Sequence, residues 1–159
     1  MLMRALLLVC LCFFLSVSAF AGSERFFTVL SQGSRDDVEK LILDYEAKGD
    51  TGSQANIYRG ALYARMAGLV NTPVQRLEYF KRGRLLIEAE IKQNADNIEY
   101  RFIRLIIQEQ APSIVRYRDN IEEDSALIIA AYQGLDERLK RELQRYAATS
   151  QVLNSLLAH

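Results

Sequence analysis

Asp96-Asn97-Ile98-Glu99-Tyr100-Arg101-Phe102-Ile103-Arg104-Leu105-Ile106-Ile107-Gln108-Glu109-Gln110-Ala111-Pro112 is the stretch that decides the fold. Asp96 is expected to cap the first turn of a helix, with Glu99 at the position of the reciprocal capping-box bond. Ile98, Phe102, Leu105 and Ile106 make one apolar face, and Ile103 and Ile107 make a second. A short helix that is apolar on more than one side is covered from more than one side. Pro112 ends it. This segment is therefore read as the central helix of the fold.

Working outward toward the N-terminus, Thr72-Pro73-Val74-Gln75 is the clearest helix start in the chain. Threonine suits the N-cap, proline the first helical position, and glutamine the capping-box partner. The helix it opens is expected to reach about Gln93, with Leu77, Phe80, Ile87 and Ile91 on one face. Before it, Ser53 is expected to cap a helix running to about Gly68, in which Gly60, Ala64 and Ala67 allow a neighbour close approach. The short connection makes these two an antiparallel hairpin. Further back, Ser34 opens a helix with Asp36 and Asp37 in its favourable first turn, whose stripe is Val38, Leu41, Ile42 and Tyr45, closed by Gly49. A short helix from about Ser23 to Ser31 precedes it.

Beyond Pro112, Ile114, Val115 and Tyr117 predict a loop that packs back on the body. Asn120 and Glu123 form a further cap pair, Gly134 stops that helix, and a last helix is expected from about Asp136 to Leu157. No segment alternates as a strand does. The chain is predicted to be all-α, with six or seven helices in antiparallel hairpins.

The first residues read as a targeting segment. Arg4 gives a positive start, Ala5 to Ser18 an apolar run, and Ala19-Phe20-Ala21 the small-x-small cleavage pattern. Residues 1–21 are thus expected to be a signal peptide and 22–159 a single helical domain, periplasmic or secreted. Both cysteines lie in 1–21, so no disulfide is expected in the remainder. Arg4 is the only charged residue of 1–21, which leaves 19 basic side chains against 20 acidic. That balance argues against a general nucleic-acid binder or an anionic-membrane binder.

The hairpin from Ala55 to Asn97 resembles a degenerate tetratricopeptide repeat. Tyr58, Ala61 and Leu62 stand near the aromatic and small positions of its first helix, and Gly83 and Ile87 near those of its second. Asn94-Ala95-Asp96-Asn97 is similar to the closing turn, with Ala95 where proline would stand. Tyr79-Phe80-Lys81-Arg82-Gly83, Arg101-Phe102-Ile103-Arg104-Leu105 and Asn120-Ile121-Glu122-Glu123-Asp124 together resemble a family of small exported bacterial helical proteins of unassigned activity. That resemblance implies export and a helical fold, and it brings no catalytic residues.

No catalytic residue, metal site or cofactor is expected from the residues either. The one histidine is His159, and beyond residue 21 there is no cysteine, so the His and Cys ligands of zinc and the nucleophile–base pairs of hydrolases are missing. The acids Asp119, Glu122, Glu123 and Asp124 lack calcium-loop spacing and read as helix-start charges. Glu88 and Glu90 point to different faces of one helix. Arg101 and Arg104, one turn apart on the central helix, carry two readings. In the structural one, Arg104 pairs with an acid such as Glu88 or Glu122. In the functional one, Arg101, Arg104, Arg116 and Tyr117 surround a cleft that holds an anion or a peptide carboxylate, and Tyr58 helps to line a peptide groove. The expected function is a non-enzymatic exported interaction module with a protein or peptide partner. The alternative is an enzyme or small-anion binder that uses arginines and carboxylates in a helical cleft.

Overall fold

The computed structural model describes residues 22–158. The expected signal peptide, including Ala19 and Ala21, and His159 lie outside the described residues. Among those described there are seven α-helices and no strand. They are α1 (22–32), α2 (Arg35–Ala47), α3 (Ser53–Ala67), α4 (Pro73–Gln93), α5 (Ile98–Gln110), α6 (Ile121–Ala131) and α7 (Glu137–Ala147), with 3-10 turns at Ser113–Val115, Tyr132–Gly134 and Asn154–Ala158. None of the described helices is long and apolar enough to cross a membrane.

Two of the expected starts are built as the side chains dictate. Ser34 and Asp37 form a full capping box, with the Ser34 hydroxyl accepting from Asp37 N at 3.2 Å and the Asp37 carboxylate accepting from Ser34 N at 3.0 Å. The Ser34 hydroxyl also donates to that carboxylate at 2.6 Å, and this bond, with the one from Ser34 N, holds the Asp37 carboxyl below its usual range. Thr72 accepts from Gln75 N at 3.3 Å, with Pro73 in the first turn of α4. Gly49 takes the left-handed backbone, φ +62, that ends α2 without steric cost.

α3 and α4 form the expected antiparallel hairpin. Ser53 and Asn56 at the start of α3 meet Glu90 near the end of α4. Midway, the helices cross glycine on glycine: a Cβ on Gly83 would lie 2.5 Å from Gly60 O and 2.6 Å from Ala64 N. Only the absence of both side chains permits that approach. Ser53 departs from its expected role. Gly52 occupies the N-cap without a side-chain bond, and the Ser53 hydroxyl donates to the buried Glu90 carboxylate instead.

α5 is enclosed as its two apolar faces require, with every residue from Tyr100 to Gln108 buried. Its cap is Asn97, whose side chain accepts from Tyr100 N at 3.2 Å, one residue later than the expected Asp96. α1 closes the opposite side through aromatic rings. Phe26 stacks on Tyr58 with centroids 3.7 Å apart, and Phe27 stacks on Phe102 at 5.6 Å. Phe102 in turn meets Tyr146 of α7 edge-on at 5.7 Å.

The C-terminal end corrects the expected long last helix. α7 stops at Ala147, because Ser150 and Glu109 turn the chain. The Ser150 hydroxyl donates to Glu109 at 2.8 Å and accepts from the amides of Val152 and Leu153, while Glu109 also accepts from Gln151 N at 3.0 Å. The turn places Leu153 and Leu156 in the core and leaves Leu157 56% exposed.

Candidate functional site

Arg101 and Arg104 project from the same side of α5 toward the first turn of α6, and there they meet Asp124, which is fully buried. Asp124 Oδ1 accepts from Arg101 Nη1 at 2.8 Å and from Arg104 Nη2 at 2.8 Å, and Oδ2 accepts from Arg104 Nε at 2.7 Å. The Arg104–Asp124 pair is thus bidentate, the strongest arrangement open to a guanidinium. Further donors of both guanidiniums are engaged. Arg101 donates to Ala95 O at 2.6 Å and to Glu123 at 3.0 Å, and Arg104 donates to Glu88 at 3.0 Å. Burial works against the Arg104 charge, yet the hydrogen bond and charge of Asp124, with Glu88, hold its proton more firmly than usual.

Glu88 extends the network outward. Its second oxygen accepts from the Tyr117 hydroxyl at 2.5 Å. Burial, then the Glu88 bond and charge, push the Tyr117 phenol far above its ordinary range. Arg104 thus meets Glu88, as the ion-pair reading expects, and Asp124 in place of Glu122. The sequence showed Asp124 only as one of several acids in a first turn, because nothing local reveals which of them faces α5.

The other singled-out residues stand apart. Arg116 is exposed, with the left-handed φ of 47 that ends the 3-10 turn. Tyr58 is buried in a second network, where its hydroxyl donates to Glu99 and Glu99 accepts from Arg138 at 2.7 Å. Burial first, then the Glu99 charge, push its phenol up as well. Glu88 and Glu90 do face opposite ways, since Glu90 is taken by Ser53 and Asn56. Among the described residues no three His, Cys, Asp or Glu side chains are grouped to hold a metal ion.

An open groove of about 910 Å³ lies where the end of α3, the first half of α4 and the end of α5 converge. Phe80, Ile107 and Ala111 supply its apolar floor, and Leu77 and Ile114 stand on its sides, 51% and 87% exposed. Arg65, Arg76, Lys81 and Arg84 also line it, and no lining residue is acidic. The wall carrying Ile114 and Val115 is pinned by Tyr117, whose ring meets Phe80 edge-on at 5.7 Å. Single exposed apolar residues are ordinary on a protein surface, but contiguous ones mark interaction sites. Here Val74 and Leu85, 75% and 72% exposed, continue the strip of Leu77 and Lys81 along α4.

Comparison with protein-family models, with curated proteins and with solved structures returns no match.

Proposed function

We propose that this chain is an exported, non-enzymatic helical interaction module that binds a protein or peptide partner along the α3–α4–α5 groove. The observation that carries this reading is the groove's composition, an apolar floor flanked by exposed Leu77 and Ile114, with exposed Val74 one turn from Leu77 and exposed Leu85 one turn beyond Lys81 on the outer face of α4. A small molecule seated in the groove would leave that outer strip wet, whereas a polypeptide covers both. The sequence pattern Ala19-Phe20-Ala21 after an apolar run supports export. This reading is favoured over an anion cleft around Arg101 and Arg104 because Asp124, Glu88 and Glu123 engage most of the donors such a cleft would offer. The test is site-specific photocrosslinking in the native cell. A photoreactive residue at Leu77 or Ile114 should trap a discrete polypeptide that the same probe at Leu43, exposed on α2, does not. Identical adducts at all three positions, or none at the groove, would refute the reading.

A further inference from the structure

Resting on that reading, we infer that the partner segment is acidic as well as apolar, a peptide whose carboxylates meet Arg65, Arg76, Lys81 and Arg84 while its apolar side chains sit on the groove floor. The argument is charge complementarity. Outside the groove, eight of the fifteen basic side chains among the described residues, Arg25, Arg82, Arg101, Arg104, Arg138, Lys140, Arg141 and Arg145, pair with an acid, whereas the groove gathers four cations and no acid in one lining. The four groove cations have no such ion pair among the described residues. Arg76 gives its Nε to Val70 O at 2.9 Å. Arg84 lies over the Tyr117 ring, 4.8 Å from its centroid. Arg65 Nε is buried with no acceptor at all. A guanidinium carries five N–H donors, and a buried donor without a partner is costly. This groove therefore holds unmet positive charge and unmet donor capacity beside an apolar floor, in a chain whose overall charge is balanced. A segment that alternates carboxylates with leucine-like side chains satisfies both at once.

The probes are synthetic peptides added to the folded protein and read by fluorescence anisotropy: a leucine–glutamate amphipathic peptide, its glutamine isostere and its lysine counterpart. The glutamate peptide should bind best, weaken as salt rises, and lose roughly ten-fold in affinity to the variant Lys81→Gln with Arg84→Gln. The charge-reversed variant Lys81→Glu with Arg84→Glu should come to prefer the lysine peptide. Both positions are exposed, so both variants should fold, with thermal melts lowered only slightly by loss of the Arg84 contact with the Tyr117 ring. Equal binding of the glutamine isostere would overturn the acidic assignment while leaving the groove as a peptide site. Binding of dodecanoate or of phosphatidylglycerol vesicles, with no peptide able to displace them, would overturn it in favour of an amphiphile or a membrane. Loss of every peptide signal together with absent crosslinks at Leu77 and Ile114 would remove the binding-module reading itself.

Discussion

Replacing Asp124 by asparagine tests whether the arginine cluster holds the fold. The carboxylate accepts three charge-assisted bonds, at 2.7, 2.8 and 2.8 Å, from guanidiniums that are 4% and 8% exposed. The amide keeps one oxygen and turns an NH2 donor toward N–H donors that have nowhere else to go. Removing one member of a buried pair costs about 3–5 kcal/mol. Glu88 and Glu123, with side chains 37% and 57% exposed, still neutralise part of the charge, which places the loss near the lower bound, about 3 kcal/mol. A domain of roughly 140 residues has an unfolding entropy of about 0.3 kcal/mol/K, so Tm should fall by about 10 °C. Urea denaturation followed by circular dichroism at neutral pH measures the difference, repeated in high salt, where a buried cluster is little screened. A loss below about 1 kcal/mol, the size of an exposed pair, or one that disappears in salt, would refute the reasoning. Glu123→Gln is the internal control and should cost less than about 1 kcal/mol.

Gly83→Ala should destabilise by about 1–3 kcal/mol or more, because the new Cβ meets backbone atoms of α3 at 2.5 and 2.6 Å, whereas Gly134→Ala meets nothing within 4 Å and should be neutral or slightly stabilising in the same denaturation assay. Alkaline pH should unfold the protein in a defined window. Burial, joined at Tyr63 by the Glu46 bond, pushes Tyr45 and Tyr63 up to about 12, and Tyr58, Tyr117 and Tyr146 are raised further. Folded phenols that keep protons the unfolded chain would release contribute stability in full below about pH 10 and lose it as pH rises through the folded values, so a spectrophotometric tyrosine titration should show late, cooperative ionisation that coincides with unfolding. Ser150→Ala removes the hub of the C-terminal turn and should cost about 1–2 kcal/mol, with faster amide exchange at Val152 and Leu153.

The parts of this fold that were legible in sequence are those decided within a few residues. Thr72-Pro73 and Ser34-Asp37 start helices because their side chains reach backbone donors three residues on. α5 is buried because two of its faces are apolar. The misassigned caps, Asp96, Ser53 and the Asn120–Glu123 pair, failed through competition. Asn120 makes no side-chain cap bond to α6, because its side-chain oxygen accepts from Gln108 and Glu123 accepts from Arg101. Asn97 reaches Tyr100 N first, and Ser53 finds a better partner in Glu90, 37 residues away. The end of α7 depended in the same way on Glu109, 41 residues from Ser150. Asp124 was visible as an acid but not as the acid that matters. The groove left no local signal at all. Its lining comes from three helices, and its cations, spread from position 65 to 84, vanish into a composition whose charges cancel.

Glu88 gives the groove a dependence on the interior that its surface position would not reveal. One oxygen serves Arg104 in the core and the other serves Tyr117, which carries the wall holding Val115 and Ile114. A carboxylate shared between two partners thus links the groove wall to the interior. Any occupant that presses on the wall must bias the same shared bond that Asp124 helps to position. By linkage the coupling has one magnitude read from either end. An occupied groove should protect the arginine cluster against unfolding, and damage to the cluster should be felt as weakened binding some distance away.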